Sequence, residues 1–167
     1  LVSVRGRSGI AHGMITNIAG LVLDDKGRTQ AGVRVEIWQV NGYGRYHHAD
    51  DRSDKPIDPN FQGYGTALTG AAGAYRFRTV VPVAYPGRTP HIHFMIKKGD
   101  KELLTTQLYV KDDPGNEKDF IYKNVRDQKL RDAITAEFAP LKNSKIGELA
   151  ANFNVVLGVT PEDPHEA

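Results

Sequence analysis

His91-Ile92-His93-Phe94-Met95-Ile96, followed by Lys98-Gly99-Asp100 and then Leu103-Leu104-Thr105-Thr106-Gln107-Leu108-Tyr109-Val110, carries the strongest strand pattern in the chain. Two runs rich in apolar and β-branched residues flank a glycine-containing turn, the pattern of an antiparallel hairpin over 91–96 and 103–110. Side chains alternate across a strand, so His91 and His93 share one face while Ile92 and Phe94 enter a core on the other. One strand thus presents two imidazoles without giving up its packing face.

The same period recurs on both sides of the hairpin. Residues 14–23 form an apolar, β-branched run closed by Asp24-Asp25-Lys26-Gly27. Val33, Val35 and Ile37 alternate with Arg34, Glu36 and Trp38, predicting a half-buried strand that leads to Tyr46. Tyr75 and Phe77 alternate with Arg76 and Arg78 after the turn Gly70-Ala71-Ala72-Gly73, and residues 152–159 read as a closing strand. Short strands with frequent turns predict a mainly β chain folded as an antiparallel β-sandwich. A helical insertion is expected before the last strand, because Leu130, Ile134 and Phe138 recur every four residues with Ala133 in the stripe. It should cover roughly 126–137 and end before Pro140. Residues 1–13 read as an N-terminal arm and 14–167 as one domain, since 167 residues with 40% hydrophobic content can share one core.

With 22 basic and 20 acidic residues the formal charge is +2, and the arginines are scattered. This gives no reason to expect nucleic acid or a membrane surface as a partner. No apolar run approaches the ~20 residues that span a bilayer, and no signal-like segment precedes the first strand. Cysteine is absent, which removes disulfides and thiolate metal sites and leaves the redox compartment open. A cytoplasmic location is the expectation, with secretion kept open because the chain starts at Leu1.

A His-x-His pair on a strand is more often a surface or hydrogen-bonded pair than a ligand pair, and a tyrosine is usually a packing residue with a wet hydroxyl. Tyr46 and Tyr85 upstream would complete a metal site, but what raises that reading is the surrounding sequence, not any single ligand. A phenol with a pKa near ~10 becomes a ligand only for a strongly acidic ion. Ferric iron, hard and trivalent, suits phenolate oxygen with imidazole support.

The segments VEIWQVNGYGRYHHADD, DPNFQGYG and GAYRFRTVVPVAYPGRTPHIHF, taken in order, resemble the intradiol ring-cleavage dioxygenases, most of all the protocatechuate 3,4-dioxygenase branch. The likeness runs from about residue 20 to 109. It implies a β-sandwich with one non-haem Fe(III) at one end, held by Tyr46, Tyr85, His91 and His93. It also implies a catechol-type substrate and O2, both oxygen atoms being inserted between the hydroxyl-bearing carbons to give a cis,cis-muconate-type diacid. In this pattern Tyr85 is the ligand that yields to substrate and takes up a proton, Arg88 stabilises charge on the ring, and Gln107 stands behind the ligands. A homo-oligomer is possible. The family's protocatechuate enzymes combine two related chain types, only one of which holds iron, and its catechol enzymes add an N-terminal helical domain for which there is no room before Gly20. One departure stands out: only Pro86-Gly87 joins Tyr85 to Arg88, where the better-known protocatechuate enzymes have a longer pocket-walling loop.

Other residues are given quieter roles. His47 and His48 are expected to hydrogen-bond at the turn after Tyr46, and Trp38 to pack beside the site. Tyr43 and Tyr64 are pocket candidates, Asp58-Pro59-Asn60-Phe61 a rigid turn, and His12 and His165 solvated residues. Two readings from other classes remain: a non-catalytic β-sandwich binding module, and a zinc or copper centre used for hydrolysis or redox work.

Overall fold

The computed structural model describes residues 1–3, 9–46, 56, 58–85, 87–142, 144 and 147–162. Ten strands among them form two facing sheets. The first is built on β1 (Ile15–Leu23), paired antiparallel to β4 (Ala74–Val80) on one edge and parallel to β9 (Leu149–Asn152) and β10 (Val155–Val156) on the other. The short β8 (Ala139–Pro140) extends β9. The second runs β3 (Tyr64–Leu68), β2 (Arg34–Trp38), β5 (His91–Lys98), β6 (Lys101–Val110) and β7 (Thr135–Ala136). Between β6 and β7 lie the helical segments α1 (Phe120–Lys123) and α2 (Gln128–Ala133).

The predicted alternation holds where it matters for the site. Ile92, Phe94 and Ile96 are fully buried and meet Val35 and Ile37 of β2, Leu104 and Leu108 of β6, and Ile18, Val22, Phe77 and Phe153 from the facing sheet. Each such side chain removed from water contributes about 1.5–3 kcal/mol, which fixes the register of β5 and thereby turns His91 and His93 away from the core. Within the first sheet β1 lies close to the link between β9 and β10: a Cβ on Gly20 would stand 1.8 Å from the Phe153 carbonyl oxygen. That same carbonyl accepts the buried Tyr75 hydroxyl.

Three expectations are corrected. The helix predicted over 126–137 is confined to Gln128–Ala133, and no residue of α2 is buried. The apolar spacing misled because Ile134, which ends α2, and Ala136 of β7 are buried against β6: their carbonyls accept from Tyr109 N and Lys111 N, satisfying the edge of β6. The closing strand expected over 152–159 starts earlier and is broken, and it runs parallel to β1. At the break the Asn154 side chain, not a backbone carbonyl, accepts from Leu21 N at 2.9 Å. Glu36, placed on the solvent side by alternation, is only 6% exposed, covered by Tyr64 and ion-paired with Lys97 at 3.2 Å.

The first residues are tied to the sandwich. Val2 and Ala11 are buried against Ile15, Phe61 and Val80, and Ala11 N donates to Val2 O at 2.9 Å.

Candidate metal centre

Three local structures deliver the four candidate ligands. Asn41 organises the turn before Tyr46: its side-chain oxygen accepts from Tyr43 N and Arg45 N, and Asn41 N donates to Arg45 O at 2.7 Å. Gly44 takes φ +89° there, a conformation in which a side chain would be strained. Tyr85 and Arg88 close a tight turn on each other through Arg88 N to Tyr85 O (2.9 Å) and Tyr85 N to Arg88 O (3.3 Å), with Gly87 at φ +85°. Two residues therefore suffice to reverse the chain between a candidate ligand and the arginine. The third structure is β5 itself.

The four side chains meet at their polar tips. Tyr46 Oη lies 2.9 Å from Tyr85 Oη, 2.8 Å from His93 Nε2 and 3.5 Å from His91 Nε2. Tyr85 Oη is 3.4 Å from His91 Nε2, and the two Nε2 atoms are 3.2 Å apart. Donors that share one ion at about 2.0–2.3 Å stand about 2.8–3.7 Å from each other, so this spacing fits a common cation. Among the described residues no group of three or more His, Asp or Glu side chains could hold a metal ion, so a cation at this place depends on the phenols.

Hydrogen bonding orients the imidazoles. His91, 2% exposed, places Nδ1 2.7 Å from the Thr89 carbonyl oxygen. A carbonyl can only accept, so Nδ1 carries a proton, the tautomer that leaves Nε2 as the ligating nitrogen of a neutral imidazole. Burial, with the neighbouring His91 and the Arg88 charge, pushes the His93 imidazolium down to about 3. His93 is thus a neutral donor at physiological pH, and Trp38 stacks flat on its ring at 4.9 Å.

Arg88 stands against this quartet. Its Nη1 is 3.3 Å from His91 Nε2, its Nη2 donates to Gln107 Oε1 and lies 3.4 Å from Tyr109 Oη, and its Nε donates to Asp119 Oδ2 at 2.9 Å. Burial opposes the charge, but the Asp119 carboxylate outweighs it and holds the Arg88 pKa above its ordinary value. Asp119 is likewise held below the usual carboxylate range: burial alone would raise it, and backbone donors together with Arg88 overcome that. Gln107, on β6 opposite His93, also accepts from Tyr109 Oη at 3.1 Å.

The structure therefore brings together Tyr46, Tyr85, His91, His93, Arg88 and Gln107. The remaining candidates fall elsewhere. Tyr64 is bonded to Glu36 on the sheet face, and Tyr43 stacks on His12 at 4.2 Å. His12 is exposed at its ring, yet its backbone N donates to Asp58, whose turn is closed by Phe61 N to Asp58 O. His47, His48 and His165 lie outside the described residues. Thr89, Tyr109 and Asp119 were not singled out from sequence. Tyr109 is two residues from Gln107 on the same strand face, a signal alternation could have given. Asp119 lies 31 residues from Arg88, and nothing local joins them.

Known proteins place this arrangement. A family profile described as Dioxygenase matches residues 3–158. The beta chain of protocatechuate 3,4-dioxygenase from Burkholderia cepacia is 37% identical over 158 residues, covering 89% of this chain and 66% of that protein. Hydroxyquinol 1,2-dioxygenase from Rhizobium sp. is 31% identical over 146 residues, covering 77% of this chain and 46% of that protein. The chain thus spans less than two thirds of the length of either relative. Among solved structures, the dioxygenase domain of a dioxygenase–carbohydrate-binding fusion from Streptomyces sp. SirexAA-E superposes with a TM-score of 0.65 at 28% identity, covering 95% of this chain and 88% of that one. The chain belongs to the intradiol ring-cleavage dioxygenase family, on its protocatechuate 3,4-dioxygenase-like side.

Proposed function

We propose that this protein is an Fe(III)-dependent intradiol dioxygenase that opens a catechol-type aromatic with O2 to a cis,cis-muconate-type diacid. The observation that carries the reading is the convergence of two phenol oxygens and two imidazole Nε2 atoms, with Tyr46 Oη and His91 Nε2 each within 2.8–3.5 Å of the other three. Tyr46, Tyr85, His91 and His93 would hold the ion, and the two phenolates offset most of its charge. An Fe(III) held by these four residues would supply Lewis-acid activation of a catechol toward O2.

The chain's own groups do the rest. By its match to the family's motif, Tyr85 is the ligand that would yield to substrate, its Oη taking a catechol proton. His91 and His93, anchored by β5, stay in position while Tyr85 moves. Arg88 keeps a fixed positive charge beside His91 Nε2, where negative charge on the ring would be stabilised.

Substrate range follows from the tight Tyr85–Arg88 turn. An open pocket of about 260 Å³ lies against it, lined by Tyr85, Gly87, Arg88, Thr89, Asp113 and Lys118 among others. A site with few walls cannot reject a ring substituent strongly. Catechol and substituted catechols are therefore the favoured substrates, with protocatechuate next. The test is oxygen uptake and product identification over a panel of catechols, hydroxyquinol and protocatechuate. Ring-opened diacids from several catechols are expected. Exclusive use of protocatechuate would contradict the substrate range, and no oxygen uptake with any member by the iron-loaded protein would contradict the activity.

A further inference from the structure

Arg88 cannot hold its orientation alone. A guanidinium on three methylenes is rich in rotamers, and its electrostatic effect depends on distance and direction. In this chain Gln107 and Tyr109 meet Nη2, leaving Nη1 toward the ligand quartet. What fixes the stem is Asp119, only 1% exposed. Its Oδ2 accepts from Arg88 Nε and from Thr89 N, each at 2.9 Å, while its Oδ1 accepts from Ile121 N and Tyr122 N, each at 3.0 Å. One buried carboxylate thus takes four donors. Two come from the segment that leads into His91 and two from the first turn of α1.

We propose that Asp119 is the positioning residue of the site, aiming the Arg88 guanidinium at the substrate ring by joining the Arg88–Thr89 segment to the start of α1. It makes no hydrogen bond to a ligand side chain: its bond to Arg88 Nε aims the guanidinium, and its bond to Thr89 N braces the segment whose carbonyl meets His91 Nδ1. The proposal rests on the role given to Arg88 in the intradiol reading.

The informative substitution is Asp119→Asn. Asparagine caps helices as well as aspartate does, so its carbonyl oxygen keeps the bonds to Ile121 N and Tyr122 N and the fold is retained. Its amide nitrogen then faces Arg88 Nε–H and Thr89 N–H, donor against donors, and Arg88 is released.

Misplacing a reacting or stabilising group by about 1 Å costs about 10²-fold in rate. Asp119→Asn should therefore lower kcat on catechol about 10²-fold with iron content and KM little changed. In an Arg88→Ala background the same substitution should change kcat less than about 2-fold, because residues acting in series are non-additive. Equal losses in both backgrounds would show that Asp119 only supports the fold, and an unchanged kcat in the Asp119→Asn chain would show that Arg88 needs no such anchor. Either result overturns the proposal. A crystal structure of the Asp119→Asn chain gives a readout independent of turnover: the guanidinium should leave Gln107 and Tyr109 while His91 stays on Thr89. An unmoved Arg88 would overturn the proposal even if no catechol were cleaved, a failure that would count against the function reading alone.

Discussion

His93 makes the metal-free protein sensitive to mild acid, by an amount that follows from its burial. In the unfolded chain its imidazole titrates near 6.5, while in the folded chain desolvation, His91 and Arg88 push it to about 3. Above pH 6.5 neither state carries the proton, so His93 makes no pH-dependent contribution. Between pH 6.5 and 3 only the unfolded chain takes it up, and folding stability falls by about 1.4 kcal/mol per pH unit. At pH 5 the loss is about 2 kcal/mol, and below pH 3 no more is lost from this group. Urea unfolding of metal-free wild type and His93→Gln at pH 7 and pH 5 isolates the effect, because packing costs of the substitution are the same at both pH values. The wild type should lose about 2 kcal/mol more than the variant on going to pH 5. Equal losses would show that His93 titrates as an ordinary exposed histidine, and that the ligand face is wetter than its packing under Trp38 implies.

Tyr85→Phe should retain part of the bound iron but turn over slowly, since the missing oxygen serves as both anchor and base; metal content and kcat measured on one preparation check this. Arg88→Ala should lower kcat about 10²–10³-fold, the scale of losing one transition-state donor, while leaving iron content near that of wild type; normal turnover would make Arg88 a structural residue only. Gly20→Ala should destabilise the fold by at least about 1–3 kcal/mol, because the added Cβ meets the Phe153 carbonyl at 1.8 Å and must push the β9–β10 link away from β1; the midpoint of thermal unfolding reads the loss.

The sandwich was legible because its deciding strands obey period two: Ile92, Phe94 and Ile96 on β5 and Val35 and Ile37 on β2 are all buried as the alternation requires. The helix was drawn too long because Leu130, Ile134 and Phe138 continue one helical spacing, whereas the chain leaves α2 at Ile134, where its carbonyl and that of Ala136 serve the β6 edge. The four candidate ligands could be named from motif order, since each sits in a local turn or strand with its own signature, and the fold brings their tips together. Asp119 could not be named, because its partners Arg88 and Thr89 reach it through the tertiary fold and a lone aspartate before Phe120-Ile121-Tyr122-Lys123 reads simply as a helix cap. Glu36 was misplaced for a similar reason: only the packed sheet shows that Tyr64 and Lys97 cover it.

Metal analysis combined with the visible absorption spectrum of the purified protein tests the central claim most directly. The account predicts about one iron per chain and a red colour from tyrosinate-to-Fe(III) charge transfer, with the band altered in Tyr46→Phe and in Tyr85→Phe. A colourless protein whose site fills with zinc or copper in preference to iron, or an iron protein whose spectrum ignores both tyrosines, would contradict it.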